Sequence, residues 1–364
     1  MPNLSNLVFL PAIMAGLISY LLTPLVIKLA KKMGIIDDPA THIHPKVIHT
    51  YPTPRGGGVA IFIAIALTAL VFLPFDKHLK GILAGATIVA VMGFLDDKYN
   101  LNPYLRLLIG LLAAGAVVAA GIGIAFISNP FAQNALTHGV VDLSQPQIAF
   151  SLFGQAHTIW VLSDLFAFIW IVFMMNMLNM GAKGIDGQLS GVVAIAAATI
   201  AALSLRFSAD ITQWPVIILA SITAGAFLGF LPWHIYPQKI MPGYGGATLA
   251  GYILAVLSIL STTKVGTLIV VLGVPLVDTG YTIVRRILAG RSPVWGDRGH
   301  LHHMLLDAGW SKPKVASFYW AITALLGIIA LNLNTPSKFY TIIGVALAIG
   351  GLIMWLTYRP KSSK

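Results

Sequence analysis

The sequence has 364 residues, 57% of them hydrophobic and 10% charged, with a mean hydropathy of +0.84. Soluble domains carry about 25% charged residues, so this composition excludes a soluble globule. The formal charge of +11 is read as basic loops beside anionic lipid, not as nucleic-acid binding. There are no cysteines, which excludes disulfides, thiolate nucleophiles and cysteine-ligated metals.

The fold class expected is all-α, a polytopic integral membrane protein forming a single transmembrane domain over residues 1–364. The apolar stretches are continuous rather than alternating, which argues against a membrane barrel. No basic residue precedes Lys28, so the N-terminus does not read as a cleaved signal peptide. Runs long enough to cross a hydrocarbon core of about 30 Å begin with Leu4–Ala30, Gly57–Phe75, Leu79–Leu95, Leu105–Ile127 and Ile159–Leu178. They continue with Leu189–Leu205, Pro215–Leu231, Ala247–Leu260, Val265–Leu288, Val315–Leu333 and Tyr340–Tyr358, eleven spans in all. The eighth is short and flanked by glycines. The connection of residues 128–158 needs only a hairpin or a short helix.

An odd number of spans places the termini on opposite sides. With the N-terminus outside, 18 of the 23 lysines and arginines fall on the inner side, and only Lys77, Lys80, Arg206, Lys264 and Lys338 fall outside. The excess of cytoplasmic basic residues favours this orientation, with the C-terminus inside. The inner segments are then Lys31–Gly56, Asp96–Tyr104, Asn176–Gln188, Pro232–Gly246 and Gly290–Pro313, and they contain nearly every polar cluster in the chain.

In the first, His42, His44 and His49 precede Pro52–Gly58, reading PTPRGGG. Glycines there can shape the start of a helix, or let backbone N–H groups approach a phosphate charged against Arg55. In the second, an apolar run ends in Asp96 and Asp97 of DDKYN. Paired carboxylates at a helix end mark either a polar terminus or a water-filled functional boundary. In the third, Asn176 and Asn179 share a helix face and lead to Lys183 and Asp186 between Gly181, Gly184 and Gly187. Such amides can bond across helices, or serve a nucleotide or a hydrated metal ion. The last contains Arg291, Asp297, Arg298, His300, His302 and His303, which suit a phosphate-rich ligand, lipid headgroups or a structural metal. Carboxylates, amides, cations and imidazoles on one side are the equipment of phosphoryl transfer, which needs positioning and charge more than covalent chemistry.

These motifs, in this order, resemble the polyprenyl-phosphate N-acetylhexosamine-1-phosphate transferases. The likeness rests on PTPRGGG, DDKYN at Asp96–Asn100, Asn176–Gly187, Asp278 within VPLVDTGYTIVRR, and GDRGHLHHML at Gly296–Leu305. The histidine motif is similar to that of the branch transferring N-acetylglucosamine 1-phosphate or a related amino sugar. The resemblance implies that a UDP-N-acetylhexosamine and polyprenyl phosphate give a polyprenyl-diphospho-sugar and UMP, a first membrane step of cell-envelope polysaccharide synthesis.

It also implies Mg²⁺, with Mn²⁺ as a substitute, and a plasma-membrane enzyme whose site faces the cytoplasm, with a homodimer as candidate assembly. Asp96, Asp97 and Asp186 would be the catalytic carboxylates, and Asp97, Asn179 and Asp186 the metal ligands. Arg55, Asn176, Asn179, Lys183, Arg298, His300, His302 and His303 would bind substrate. Two departures stand out. The family's Asp-Gly-x-Asp-Gly run keeps only Asp186, with an extra residue before it. Its Gly-Asp-x-Gly-Ser motif, whose aspartate binds the metal, corresponds to KIMPGYGGAT at Lys239–Thr248, which has no carboxylate. Alternatives are phospho-N-acetylmuramoyl-pentapeptide transfer, an inactive scaffold and a transporter. A transporter would more often place charges near the midplane with repeat symmetry.

Overall fold

The computed structural model describes residues 4–41, 48–131, 139–152, 155–261, 264–292 and 298–358. His42, His44 and Asp297 lie outside them. A π-helical turn at Ser5–Phe9 leads into α1 (Leu10–Lys32), followed by α2 (Gly57–Phe72), α3 (Lys77–Tyr99), α4 (Pro103–Ala119) and α5 (Val161–Gly181). Then come α6 (Gln188–Leu205), α7 (Trp214–His234), α8 (Gly243–Leu260), α9 (Lys264–Val271) and α10 (Gly273–Leu288). The short α11 (Leu301–Asp307) precedes α12 (Lys312–Asn332) and α13 (Thr335–Tyr358). Small antiparallel pairs complete the fold: β1 (Ile36–Asp37) with β2 (Thr53–Pro54), β3 (Phe126–Ser128) with β4 (Val140–Asp142), and β5 (Gln147–Leu152) with β6 (Gln155–Trp160). The last two hairpins fill the long connection between α4 and α5.

Among the described residues, eight helices are long and apolar enough to cross a membrane, or nine if α9 and α10 form one broken span. The chain is therefore a multi-pass helical membrane protein. The remaining two of the expected spans, α2 and α4, are helices of 16 and 17 residues. The fourth was expected to run to Ile127 but stops at Ala119, where Gly121 takes φ +83° and turns the chain. The ninth was expected to be continuous. It bends by 84° between Val271 and Gly273. Pro275 has no N–H to give the Val271 carbonyl, and a Cβ at Gly273 would lie 2.6 Å from Val345 Cγ1.

The short eighth span proves to be the centre of the bundle: 94% of α8's apolar window is buried, against 11% for α13. A helix apolar all round belongs either inside a large bundle or in lipid, and these two take one place each. Helix α8 reaches back to Gly243 because its glycines lie against neighbouring backbones. A Cβ on Gly93 of α3 would fall 2.1 Å from Gly245 Cα, and one on Gly58 of α2 would fall 2.3 Å from Gly246 N. In α7, Gly225 and Gly229 repeat this against α1, where a Cβ would fall 2.0 Å from the Ala12 and Gly16 carbonyl oxygens. Small residues four apart let helices pack closely where lipid removes the hydrophobic drive between them.

Helix ends are set locally. Asp76 caps α3, its Oδ1 accepting the Leu79 N–H at 2.8 Å, and Asn100 closes it with φ +50°. Asn102 caps α4 ahead of Pro103. Replacing Gly229 by valine should separate α7 from α1 and lower the melting temperature in detergent by an amount matching about 1–3 kcal/mol of overpacking. An unchanged melting temperature would show that the two backbones do not meet there.

Candidate active site

Five chain segments meet at one end of the bundle around a cavity of about 310 Å³. Its wall includes Asp37, His49, Arg55, Asp96, Asp97, Arg106, Asn179, Lys183, Asp186, Gln238, Tyr244, Arg286, His300, His302 and His303. Most of the residues expected to act are thus brought together from far apart in sequence. Asn176 and Arg298 are not. Asn176 is exposed on α5, its Nδ2 donating to the Val172 carbonyl at 2.8 Å. Arg298 is exposed and pairs with Asp307 at 2.7 Å.

The two carboxylates ending α3 have different surroundings. Asp96 forms an ion pair with Arg106 at 2.6 Å and accepts the Leu101 N–H at 3.1 Å. Arg106 also donates to Asn100 Oδ1 at 2.9 Å and lies over the Tyr244 ring. Asp97 is turned toward α8: its Oδ1 accepts the Tyr244 N–H at 2.9 Å, and its buried Oδ2 has no protein hydrogen-bond partner. The charges of Lys183 and Arg55 both act on it. Gly243 makes this possible. It holds φ +71°, and a Cβ there would lie 2.0 Å from Asp97 Oδ2, so only glycine serves.

Pairing of β1 with β2 sets Asp37 opposite Thr53, which brings Arg55 onto Asp37; its Nε donates to Oδ2 at 3.1 Å and its Nη2 also reaches that oxygen. His49 Nε2 lies 3.2 Å from the Asp37 carbonyl. Beyond α5, Lys183 Nζ donates to Asn179 Oδ1 at 2.7 Å, one helical turn earlier. Asp186 is buried, 3.5 Å from Lys312 Nζ, with the Gln238 N–H at 3.4 Å. The neighbouring Tyr51 hydroxyl has its pKa raised by burial and by the Asp186 charge.

The histidines stand on Asp278. That buried carboxylate accepts the Leu301 N–H at 2.7 Å and lies 3.0 Å from His300 Nδ1, fixing the start of α11. The His300 and His302 rings stack with centroids 5.5 Å apart, and His303 lies 4.3 Å from His302. Burial, followed by the neighbouring histidines and Arg298, holds the His302 pKa well below its ordinary value of 6.5. Gly184 presses against this ring; a Cβ there would fall 2.0 Å from His302 Nε2.

A divalent ion was implied for this site, with Asp97, Asn179 and Asp186 as ligands. The described residues do not fit a resident one. Asp37 is held by Arg55, Asp96 by Arg106 and Asp186 by Lys312, while Asn179 Oδ1 accepts an ammonium. Among the described residues no group of three or more histidine or carboxylate side chains is placed to hold a metal. Among the buried carboxylate oxygens of the described residues lining the cavity, Asp97 Oδ2 has no hydrogen-bond partner.

Asp37, Arg106, Gln238, Tyr244 and Arg286 were not singled out from the sequence. Arg106 and Arg286 were visible only as inner basic residues, and Asp37 only as part of a polar loop.

Residues 79–262 match glycosyl transferase family 4. The chain belongs to that family. It is 31% identical over 337 residues to the probable undecaprenyl-phosphate N-acetylglucosaminyl 1-phosphate transferase of Bacillus subtilis (strain 168), covering 90% of this chain and 86% of that protein. It is 27% identical over 371 residues to the decaprenyl-phosphate N-acetylglucosaminephosphotransferase of Mycolicibacterium smegmatis, covering 92% and 84%. A phospho-N-acetylmuramoyl-pentapeptide-transferase of Bacillus pumilus is 28% identical over 348 residues, covering 91% and 99%.

Because native His302 stays neutral while the unfolded side chain takes a proton below about pH 6.5, native stability falls as pH drops through that value. The loss with pH in His302→Gln should be shallower than in the wild type by up to one proton, about 1.4 kcal/mol per pH unit. Thermal unfolding in detergent at stepped pH reads it. Parallel curves would contradict a neutral, buried His302.

Proposed function

We propose that the protein transfers an N-acetylhexosamine 1-phosphate from a UDP-sugar to polyprenyl phosphate, releasing UMP, as an early membrane step of envelope polysaccharide synthesis. The observation that carries this is the cavity itself: cations and imidazoles around the buried Asp97, at the end of an apolar bundle. A soluble diphosphate and a lipid phosphate can meet there. The activities named for the relatives support N-acetylglucosamine as the sugar.

In this reading a lipid phosphate oxygen attacks the β-phosphorus of the UDP-sugar. The new P–O bond forms as the bond from that phosphorus to the oxygen bridging the α-phosphate breaks, and UMP leaves with the electron pair. A phosphate monoester loses its second proton near pH 6, so the acceptor is largely dianionic at neutral pH and needs little help from a base. The demand is for positioning and for positive charge facing the diphosphate. Lys183, steered by Asn179, and Arg55, held by Asp37, supply charge beside Asp97, and His300, His302 and His303 line the sugar side. We further propose eleven crossings, α2 and α4 included, with the N-terminus outside and the cavity facing the cytoplasm. The distribution of lysine and arginine supports that orientation.

Release of UMP from UDP-N-acetylglucosamine, dependent on added polyprenyl phosphate, is the expected activity of the purified protein. A panel of other UDP-sugars, including UDP-N-acetylmuramoyl-pentapeptide, tests the choice of sugar. No release with any of them would reject an enzyme and leave a scaffold or a transporter. Asp97→Asn should keep the fold and lower kcat/KM by at least about 100-fold; near-normal turnover would refute its role. A labelled phosphosugar trapped on Asp97 without acceptor would replace direct attack with a covalent route.

A further inference from the structure

We infer that Lys183 takes the place of a divalent metal ion in this chain, so that the donor diphosphate binds to a protein ammonium without Mg²⁺. This rests on the proposed donor being a UDP-sugar.

Two substitutions fall where the family pattern is acidic. With the extra residue placed ahead of Lys183, Lys183–Gly187 reads Lys-Gly-Ile-Asp-Gly against Asp-Gly-x-Asp-Gly, so a lysine stands at the first acidic position. Gly243–Ala247 reads Gly-Tyr-Gly-Gly-Ala against Gly-Asp-x-Gly-Ser, so Tyr244 stands at the other. Two aspartates and a doubly charged ion sum to zero, whereas a lysine and a neutral tyrosine sum to plus one. The exchange thus leaves the site at least as positive as a metal-loaded one.

The geometry fits that exchange. Lys183 lines the cavity with Asp97 and Asn179. Its ammonium is steered by Asn179 Oδ1 at 2.7 Å, and its charge acts on Asp97. The next residue, Gly184, lies against the His302 ring, which fixes the backbone from which the lysine extends. Tyr244 gives Asp97 its backbone N–H at 2.9 Å while its ring lies under Arg106, so the side chain that replaces the second aspartate seats a cation. The carboxylates that could complete a metal shell are neutralised within the protein by Arg55, Arg106 and Lys312. An ammonium binds phosphate as a compact point charge with three donors, and needs no carboxylate cage.

Calorimetric titration of the full-length protein in nanodiscs with UDP, in EDTA and in Mg²⁺, tests this directly. The expected result is binding in EDTA with an affinity within about threefold of that in Mg²⁺. Lys183→Gln should weaken UDP binding in EDTA by about 10–100-fold, the equivalent of one charged hydrogen bond, and Lys183→Arg should retain most of it. Mn²⁺ titration followed by electron paramagnetic resonance gives a second readout: the wild type with UDP should hold no stoichiometric ion, and Lys183→Asp should gain one. UDP binding only in Mg²⁺, or a stoichiometric Mn²⁺ in the wild type, would overturn the inference while leaving the proposed function standing. Absence of UDP binding in both buffers would overturn both. Unaltered affinity in Lys183→Gln with an unchanged melting temperature would remove Lys183 from the site.

Discussion

Helices α3 and α8 touch backbone to backbone at Gly93 and Gly245, and the placing of the acidic pair depends on that contact. A Cβ on Gly93 would fall 2.1 Å from Gly245 Cα, so a side chain there would force the helices apart and take Asp97 away from the Tyr244 N–H; one on Gly245 would fall 3.0 Å from Gly93 Cα. Gly243 completes the arrangement by turning the chain with a positive φ directly over the carboxylate. Three glycines, none with a functional group, therefore decide where the acid of the site points. Helix α8 can hold that position because it is buried on all sides and has no lipid-facing surface to shift along.

Burying so many charges at the end of an apolar bundle would be costly if they were unpaired. The fold meets this by pairing across elements distant in sequence. Asp37 and Arg55 come together through β1 and β2, Asp96 and Arg106 through the turn between α3 and α4, Asp186 and Lys312 through the starts of α6 and α12. Asp278 fixes the histidine segment in the same way, from within α10. The 84° bend between α9 and α10 is what separates α10 from a straight crossing. Internal pairing leaves Asp97 Oδ2 as the buried carboxylate oxygen lacking a protein hydrogen bond among the described residues of the cavity. In the proposed reading, a site built this way answers phosphate charge with its own side chains.

Much of this was legible in the sequence because lipid makes long apolar runs obligatory for helices. The helices and the gathering of polar segments at one end follow from run length and alternation alone. Asp96, Asp97, Lys183, Asp186 and the histidines could be found because polar residues interrupting apolar runs stand out. What stayed hidden depends on partners. Arg106 looks like any inner basic residue until α4 folds back and sets it on Asp96. Asn176 looks equivalent to Asn179, yet the helix rotation that puts one into the cavity exposes the other. The glycines before the eighth span suggested a weak, short helix, and they are instead its most tightly packed turn. The break at Leu272 could have been suspected from Gly273 and Pro275, but not its angle.

The central claim is that the donor diphosphate lies between the Lys183 loop and Arg55, in front of Asp97. A structure of the protein with UDP-N-acetylglucosamine bound tests it most directly. The account predicts density for both phosphates within hydrogen-bonding distance of Lys183 Nζ, with the uridine leaving the sugar toward His302 and His303. Diphosphate density on the exposed Arg298, or among the β-hairpins at the opposite end of the bundle, would contradict it.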